Sequence, residues 1–152
     1  MIARLAVPDD ADELVRLRAV MLRSLHAGSW TDDWRKHARA TLIDRLAAGT
    51  MAAFVVDRPE ATGLASCALG VIEERLGGPG NPFGRSGYVF SVATDEDMRR
   101  RGFSRACMTA LLDWFRDRGV TKVDLRASPS GEPLYRSLGF ERTPDPAMRL
   151  RF

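Results

Sequence analysis

Residues 99–106 read Arg-Arg-Arg-Gly-Phe-Ser-Arg-Ala. Arg99, Arg100 and Arg101 run into a glycine that opens an amphipathic helical pattern, and Arg105 follows one turn later. A helix N-terminus carries partial positive charge and leaves its first N–H groups without partners. Arginines alone oppose such an end. With a polyanion bound, both the arginines and the free N–H groups gain a partner. Gly102 lets a ligand approach the backbone, and Ser104 adds little bulk. The predicted chemistry is therefore the cradling of a phosphate or pyrophosphate. Neither G-x-x-x-x-G-K-[ST] nor a helix-opening G-x-G-x-x-G is present. The plainer alternative is a solvated arginine cluster at a turn.

The elements that would position this cradle follow from periodicity. Residues 2–7 read as a first strand, and residues 8–25 as a helix with Leu14, Leu17, Met21, Leu22 and Leu25 at helical spacing. Asp10 and Glu13 have capping-box spacing at its start. A second helix is predicted over 31–48, stopped by Gly49. Residues 50–56 and 62–74 read as a hairpin of strands around the turn at 57–60. Residues 75–87 hold five glycines and two prolines and read as a mobile loop. A strand at 88–94 feeds the arginine turn, which opens a helix over 102–118. Residues 121–127 alternate as a strand, 128–138 hold a loop and a short helix, and 140–143 and 147–152 read as a final pair of short strands. The order β-α-α-β-β-β-α-β-α-β-β is that of a mixed α/β domain.

With 152 residues the chain is predicted to form one domain, 1–152. At that size roughly 68–70% of the unfolded surface is buried, so neither a disulfide nor a metal is needed as a staple. Net charge is +3 and only Lys36 and Lys122 among the 23 basic residues are lysines. The arginines are scattered outside 99–101, with no basic helix face and no interleaved aromatics. That argues for a small anionic ligand and against nucleic acid as partner. Cys67 and Cys107 lie in apolar runs and read as buried thiols. No signal-like stretch and no run of 18 apolar residues occurs, so the expected location is cytoplasmic, with no membrane partner. No metal site is expected.

Two patterns together resemble a known family. Arg99-x-x-Gly102-x-Ser104 resembles the acetyl-CoA motif R/Q-x-x-G-x-G/A of the GCN5-related N-acetyltransferases, the GNAT family, with Ser104 in the last small position. In "PLYRSLGFE", Tyr135, Gly139 and Phe140 match the family's tyrosine four residues before Gly-Phe. Ser128 stands where the family often has asparagine. The order of elements matches over nearly the whole chain. The resemblance implies a mixed, mostly antiparallel sheet of about seven strands with splayed parallel central strands, flanked by about four helices. It implies acetyl-CoA as cosubstrate. The N–H groups of Arg100, Arg101, Gly102, Phe103, Ser104 and Arg105 would hold the pyrophosphate, and Arg99 or Arg105 would add forked donors. Val92, with Ala93 and Thr94 beside it, would bond the thioester arm.

The implied reaction is attack of a primary amine, on a small molecule or a peptide N-terminus or lysine, on the acetyl group in a ternary complex. Val92 N–H would stabilise the oxyanion and Tyr135 would protonate the leaving thiolate. Candidates for the base are Glu73, Glu74, His26, Asp33 or a water chain. Trp30 and Trp34 read as packing residues of the second helix. The main alternative function is a non-catalytic acyl-CoA-binding sensor on the same fold. Family members are often dimers, so a homodimer is a further expectation. Acceptor and acyl-chain preference are not legible.

Overall fold

The computed structural model describes residues 2–26 and 28–152. Its sheet has five strands in the order β1 (Arg4–Leu5), β2 (Met51–Asp57), β3 (Leu64–Glu74), β4 (Arg85–Thr94) and β5 (Val123–Leu125). All neighbours are antiparallel except β4 and β5, which run parallel. Helices α1 (Ala11–Leu25) and α2 (Asp33–Ala48) cover one face. Helix α3 (Phe103–Asp117) and the short α4 (Glu132–Ser137) lie on the other.

Each face has its own core. Leu14 and Leu17 of α1 pack with Val55, Leu64 and Leu69 of the sheet. Met108, Leu111 and Phe115 of α3 pack with Ala52, Ala68 and Val89. Phe115 lies so close to the sheet that a Cβ on Gly70 would fall 2.7 Å from its ring, and one on Gly87 2.8 Å. These glycines exist for space, since neither has a left-handed backbone. Gly87→Ala is expected to lower stability by about 1–2 kcal/mol through overpacking, read as a reduced urea midpoint with an unchanged slope.

Two irregularities in β4 shape the cleft beside it. The first is a bulge. Phe90 opposes Leu69 and Ala93 opposes Cys67, so Ser91 and Val92 together face the single Ala68. Ser91 takes the left-handed φ of 52° that the extra residue requires. The bulge shifts the alternation: Val89 and Val92 belong to the α3 side, Phe90 and Ala93 to the α1 side. The second is a splay. β5 pairs only with Gly87, Tyr88 and Val89, and β4 then continues to Thr94 without it.

The turn after β4 is fixed by buried charge. Asp95 is buried and accepts hydrogen bonds from Arg16 (2.8 and 2.9 Å) and Arg58 (2.7 Å). Arg16 also bonds Glu13 and the Leu64 carbonyl, and Glu13 accepts from Leu64 N–H. Burial opposes ionisation of Asp95, but the two guanidiniums outweigh it and hold its carboxyl below the ordinary value of 3.8. This contribution to stability is present above pH 3.8 and is lost as pH falls through the lower folded value. Asp95→Asn is expected to cost about 2 kcal/mol at neutral pH and to flatten the loss of stability as pH falls below 3.8.

The structure corrects several expectations. Five strands form rather than about seven. Residues 140–143 and 147–152 make no ladder, the first strand keeps only two residues, and β5 keeps three. β4 begins at Arg85 rather than 88, because the preceding connection is tied: Gly78 and Asn81 exchange backbone bonds of 3.0 Å, and the Asn81 side chain bonds Arg85. The capping box does not form. Asp10 ends a 3-10 turn (Pro8–Asp10), where its carboxylate accepts from Val7 N–H and Arg4. Glu13 is taken by Arg16 and Leu64 instead.

Candidate functional site

Where β4 and β5 part, a cleft of about 320 Å³ opens. One wall is residues 89–94 of β4, the other the chain leaving β5 at 125–128. Val20, Met21, Ser24 and Leu25 of α1 close one side, and Tyr135 stands in the wall. The predicted Val92, Ala93 and Thr94 all line it.

A second concavity, about 400 Å³, lies at the start of α3 and shares Thr94 with the cleft. Arg99, Arg100, Gly102, Phe103, Ser104 and Arg105 line it, and Pro133 and Leu134 of α4 face them. Gly102 (φ 80°) and Arg100 (φ 61°) are both left-handed. For arginine that conformation is costly. Its effect is to turn successive N–H groups toward one concave surface, an anion nest continued by the helix start. The first bond of α3 is Ala106 N–H to the Gly102 carbonyl, at 3.1 Å. The N–H groups of residues 100–105 have no acceptor among the described residues.

Among the described residues the arginines are equally unengaged by carboxylates. Arg99 reaches only the Thr94 carbonyl, at 3.4 Å, and Arg105 donates to Ser137 Oγ at 2.8 Å. Arg100 and Arg101 have no ion pair among the described residues. The acids of the same turn are occupied elsewhere, Asp95 and Asp97 by Arg58 and Asp95 also by Arg16. Arg101 is exposed and lines neither concavity. Phe103 is buried, so its side chain anchors α3 and only its backbone faces the nest.

Thr94 has a part that its position alone did not disclose. Its Oγ1 lies 2.7 Å from Ser66 Oγ and 2.6 Å from Ser104 Oγ. This hydroxyl chain ties β3, the end of β4 and the first turn of α3 together. Ser66, Asp95, Arg16 and Arg58 carry no sequence signal for this, since their partners are 28 to 79 residues away.

Tyr135 is held by packing. Its ring meets Phe140 edge to face at 6.0 Å and lies 2.9 Å from where a Cβ on Gly131 would stand. Its hydroxyl has no hydrogen-bond partner among the described residues. Burial pushes its pKa above the ordinary 10.0, so the phenol keeps its proton. None of the four candidate bases lines the cleft. Glu73 and Glu74 pair opposite Ser86 and Arg85, at the other end of β4 from Thr94. Asp33 accepts from Thr31, and His26 packs against Trp30 in a separate hollow of about 140 Å³. Cys67 and Cys107 are free and buried, and burial raises both thiol pKa values, Cys107 to about 12.

Among the described residues no group of three or more His, Cys, Asp or Glu side chains could hold a metal ion, and no helix is long and apolar enough to cross a membrane.

A family model described as the acetyltransferase (GNAT) family matches residues 19–140. No match is found among curated proteins. Solved structures share the fold. A predicted acetyltransferase from Clostridium acetobutylicum, solved with acetyl-CoA, is 22% identical with a TM-score of 0.86, over 98% of this chain and 94% of that one. A GCN5-related N-acetyltransferase from Ralstonia eutropha JMP134 is 25% identical with a TM-score of 0.84, over 97% of each chain. Glucosamine-6-phosphate N-acetyltransferase from Arabidopsis thaliana is 15% identical with a TM-score of 0.74, over 99% of each chain.

Proposed function

Because the chain belongs to the acetyltransferase (GNAT) family, we propose that it moves the acetyl group of acetyl-CoA to a primary amine, on a small molecule or a peptide N-terminus or lysine. The observation that carries this reading is the nest of unaccepted N–H groups at 100–105, continuous at Thr94 with the cleft beside β4. The residues present fit such a cosubstrate. The nest and its uncommitted arginines suit a pyrophosphate, and the narrow cleft suits an extended arm.

When bound, acetyl-CoA supplies an activated acyl thioester. The N–H groups of Arg100, Arg101, Gly102, Phe103, Ser104 and Arg105 hold the pyrophosphate, and Arg99 and Arg105 add charged donors. Val92, in the bulge, offers its N–H to the carbonyl oxygen where negative charge develops. Ala93 and Thr94 continue that edge. Tyr135 gives its proton to the leaving thiolate. With Glu73, Glu74, His26 and Asp33 all outside the cleft lining, the amine loses its proton to water.

That same absence of a carboxylate or imidazole from the described lining favours one second reading, a non-catalytic acyl-CoA-binding sensor. Thermal unfolding with acetyl-CoA, against ATP and NAD, tests the common part. Acetyl-CoA at about 100 times its Kd adds roughly 2.7 kcal/mol, a rise in Tm on the order of 5–10 °C. An unchanged Tm at millimolar acetyl-CoA overturns both readings. A rise, followed by thiol release with a panel of amines, supports transfer; a rise without release from any amine supports the sensor.

A further inference from the structure

We propose that the acceptor is a small molecule carrying an anionic group, carboxylate or phosphate, near its amine, and that Arg126 is the residue that selects it. The inference rests on the acetyl-transfer reading and narrows its acceptor.

The first ground is the charge of the cleft. Arg126 is the one charged side chain in its described lining. It stands in the wall that leaves β5, across the cleft from the β4 wall with Ser91 and Val92. It is exposed, and its side chain has neither an ion pair nor a hydrogen bond among the described residues. Asp124, the nearest acid along the chain, borders a separate hollow of about 290 Å³ outside β5, which Arg126 does not line. The guanidinium is thus a forked donor without an acceptor, and no acid of the lining competes for it.

The field has the same sign behind the wall. Arg18 stands one turn before Met21 in α1. It is half-buried and has no ion pair or hydrogen bond among the described residues. Burial pushes its pKa down, and among titratable groups only the Cys67 side chain opposes that shift. Cys67 Sγ in turn donates to the Ser91 carbonyl at 3.3 Å, which places Arg18 near the bulge.

Positive charge here has two consequences. It favours the neutral amine, the form that attacks, over the ammonium. It also repels an incoming cation, and a polyamine or a lysine-rich peptide brings its remaining charges into that field. An anionic group on the acceptor removes the conflict. The molecule arrives without net positive charge, its anion meets the guanidinium, and its amine still lies in a positive field.

The second ground is a polar atom without a partner. Ser91 is 5% exposed, and its Oγ has no hydrogen-bond partner among the described residues. The residue lines the same cleft. A buried hydroxyl is costly to leave unsatisfied, so this wall suits a polar group. Beside Val92 in the chain, the hydroxyl would accept from the amine N–H while Arg126 holds the anion at the other wall. Met21, Leu25 and Phe90 offer an apolar lining to the carbon skeleton between them.

The test compares matched acceptors by thiol release at saturating acetyl-CoA: leucine against leucinamide, phosphoethanolamine against ethanolamine, with spermidine and a lysine peptide as cations. In at least one pair the anionic member should be preferred about 30-fold or more in kcat/KM, and the responsive pair tells carboxylate from phosphate. Arg126→Gln should lower kcat/KM for that acceptor about 30-fold, chiefly through KM. The same variant should change kcat/KM for the uncharged partner, and the acetyl-CoA Kd by calorimetry, less than about 3-fold. Arg126→Glu should move the preference toward spermidine. Equal rates within both pairs, or a preference for spermidine or the peptide, overturns the inference while leaving acetyl transfer standing. So does a loss in Arg126→Gln that both members share or that comes with weaker acetyl-CoA binding. Thiol release from no amine of this or a wider panel, with acetyl-CoA still bound, overturns the acetyl-transfer reading and this inference with it.

Discussion

Tyr135→Phe is expected to lower kcat about 100-fold or more while leaving the Kd for acetyl-CoA little changed. The expectation rests on what the substitution removes and what it keeps. The ring is fixed by Phe140 and by its contact at Gly131, and phenylalanine preserves both. The hydroxyl supports no part of the fold, since no described residue accepts from it or donates to it. On the proposed mechanism its loss therefore costs a proton donor and little else. The leaving thiolate must then take its proton from water, without a donor already in place. Burial raises the phenol pKa above 10.0, which fixes the sign of the pH dependence. A general acid works only while protonated, so the alkaline limb of kcat attributed to Tyr135 lies above pH 10.0, and that limb should vanish in Tyr135→Phe. Stopped-assay measurements of thiol release across pH, with calorimetric titration of acetyl-CoA, check both statements. Full activity in the variant would take Tyr135 out of the chemistry.

Much of this candidate site is local in sequence, and for that reason its residues can be singled out there. The arginines, Gly102 and Ser104 lie within six residues of one another, and the strand feeding them ends five residues earlier at Thr94. Helical and strand periods placed the four helices and the long strands close to where they stand. The features that could not be read are those that depend on distant partners. Asp95 looks like one more acid in a surface run until Arg16 and Arg58 arrive from two other elements. Ser66 and Thr94 meet only because β3 and β4 pair in a register shifted by the bulge. The bulge itself carries no compositional mark, since Ser91 adopts a left-handed φ that its side chain does not favour. The missing final strands are the converse case. Residues 140–143 and 147–152 have the alternation of strands, but alternation states only that one face seeks burial and does not supply the neighbouring strand a ladder needs.

The bulge and the nest also divide the work of the site in a way that mutation can separate. Val92 and Tyr135 would act on the reacting atoms, whereas residues 100–105 would act on a group well removed from them. Binding energy gained at the nest is shared by ground and transition states, so damage there should appear in affinity before turnover.

Ser104→Asp makes that separation most strongly. The new carboxylate would stand in the first turn of α3, among N–H groups that have no acceptor and beside uncommitted arginines. It would occupy the nest as an internal anion. Two effects of opposite sign follow. Without ligand, a carboxylate at a helix N-terminus contributes about 0.3–1 kcal/mol, so Tm should rise, or hold level against the loss of the Ser104–Thr94 bond. With ligand, an anion already in place repels the pyrophosphate and blocks its donors, and like charges brought together at an interface cost several kcal/mol. The acetyl-CoA Kd is therefore expected to rise about 10²–10³-fold, while kcat at saturating cosubstrate changes far less. Ser104→Ala serves as the control, since it removes the same hydroxyl without adding charge and should shift Kd by less than about 10-fold. Calorimetric titration and thermal unfolding of the two variants side by side decide the matter. Equal losses in both would mean that the hydroxyl, not the nest, holds the ligand; a large loss confined to the aspartate variant identifies the free N–H groups as the anion site.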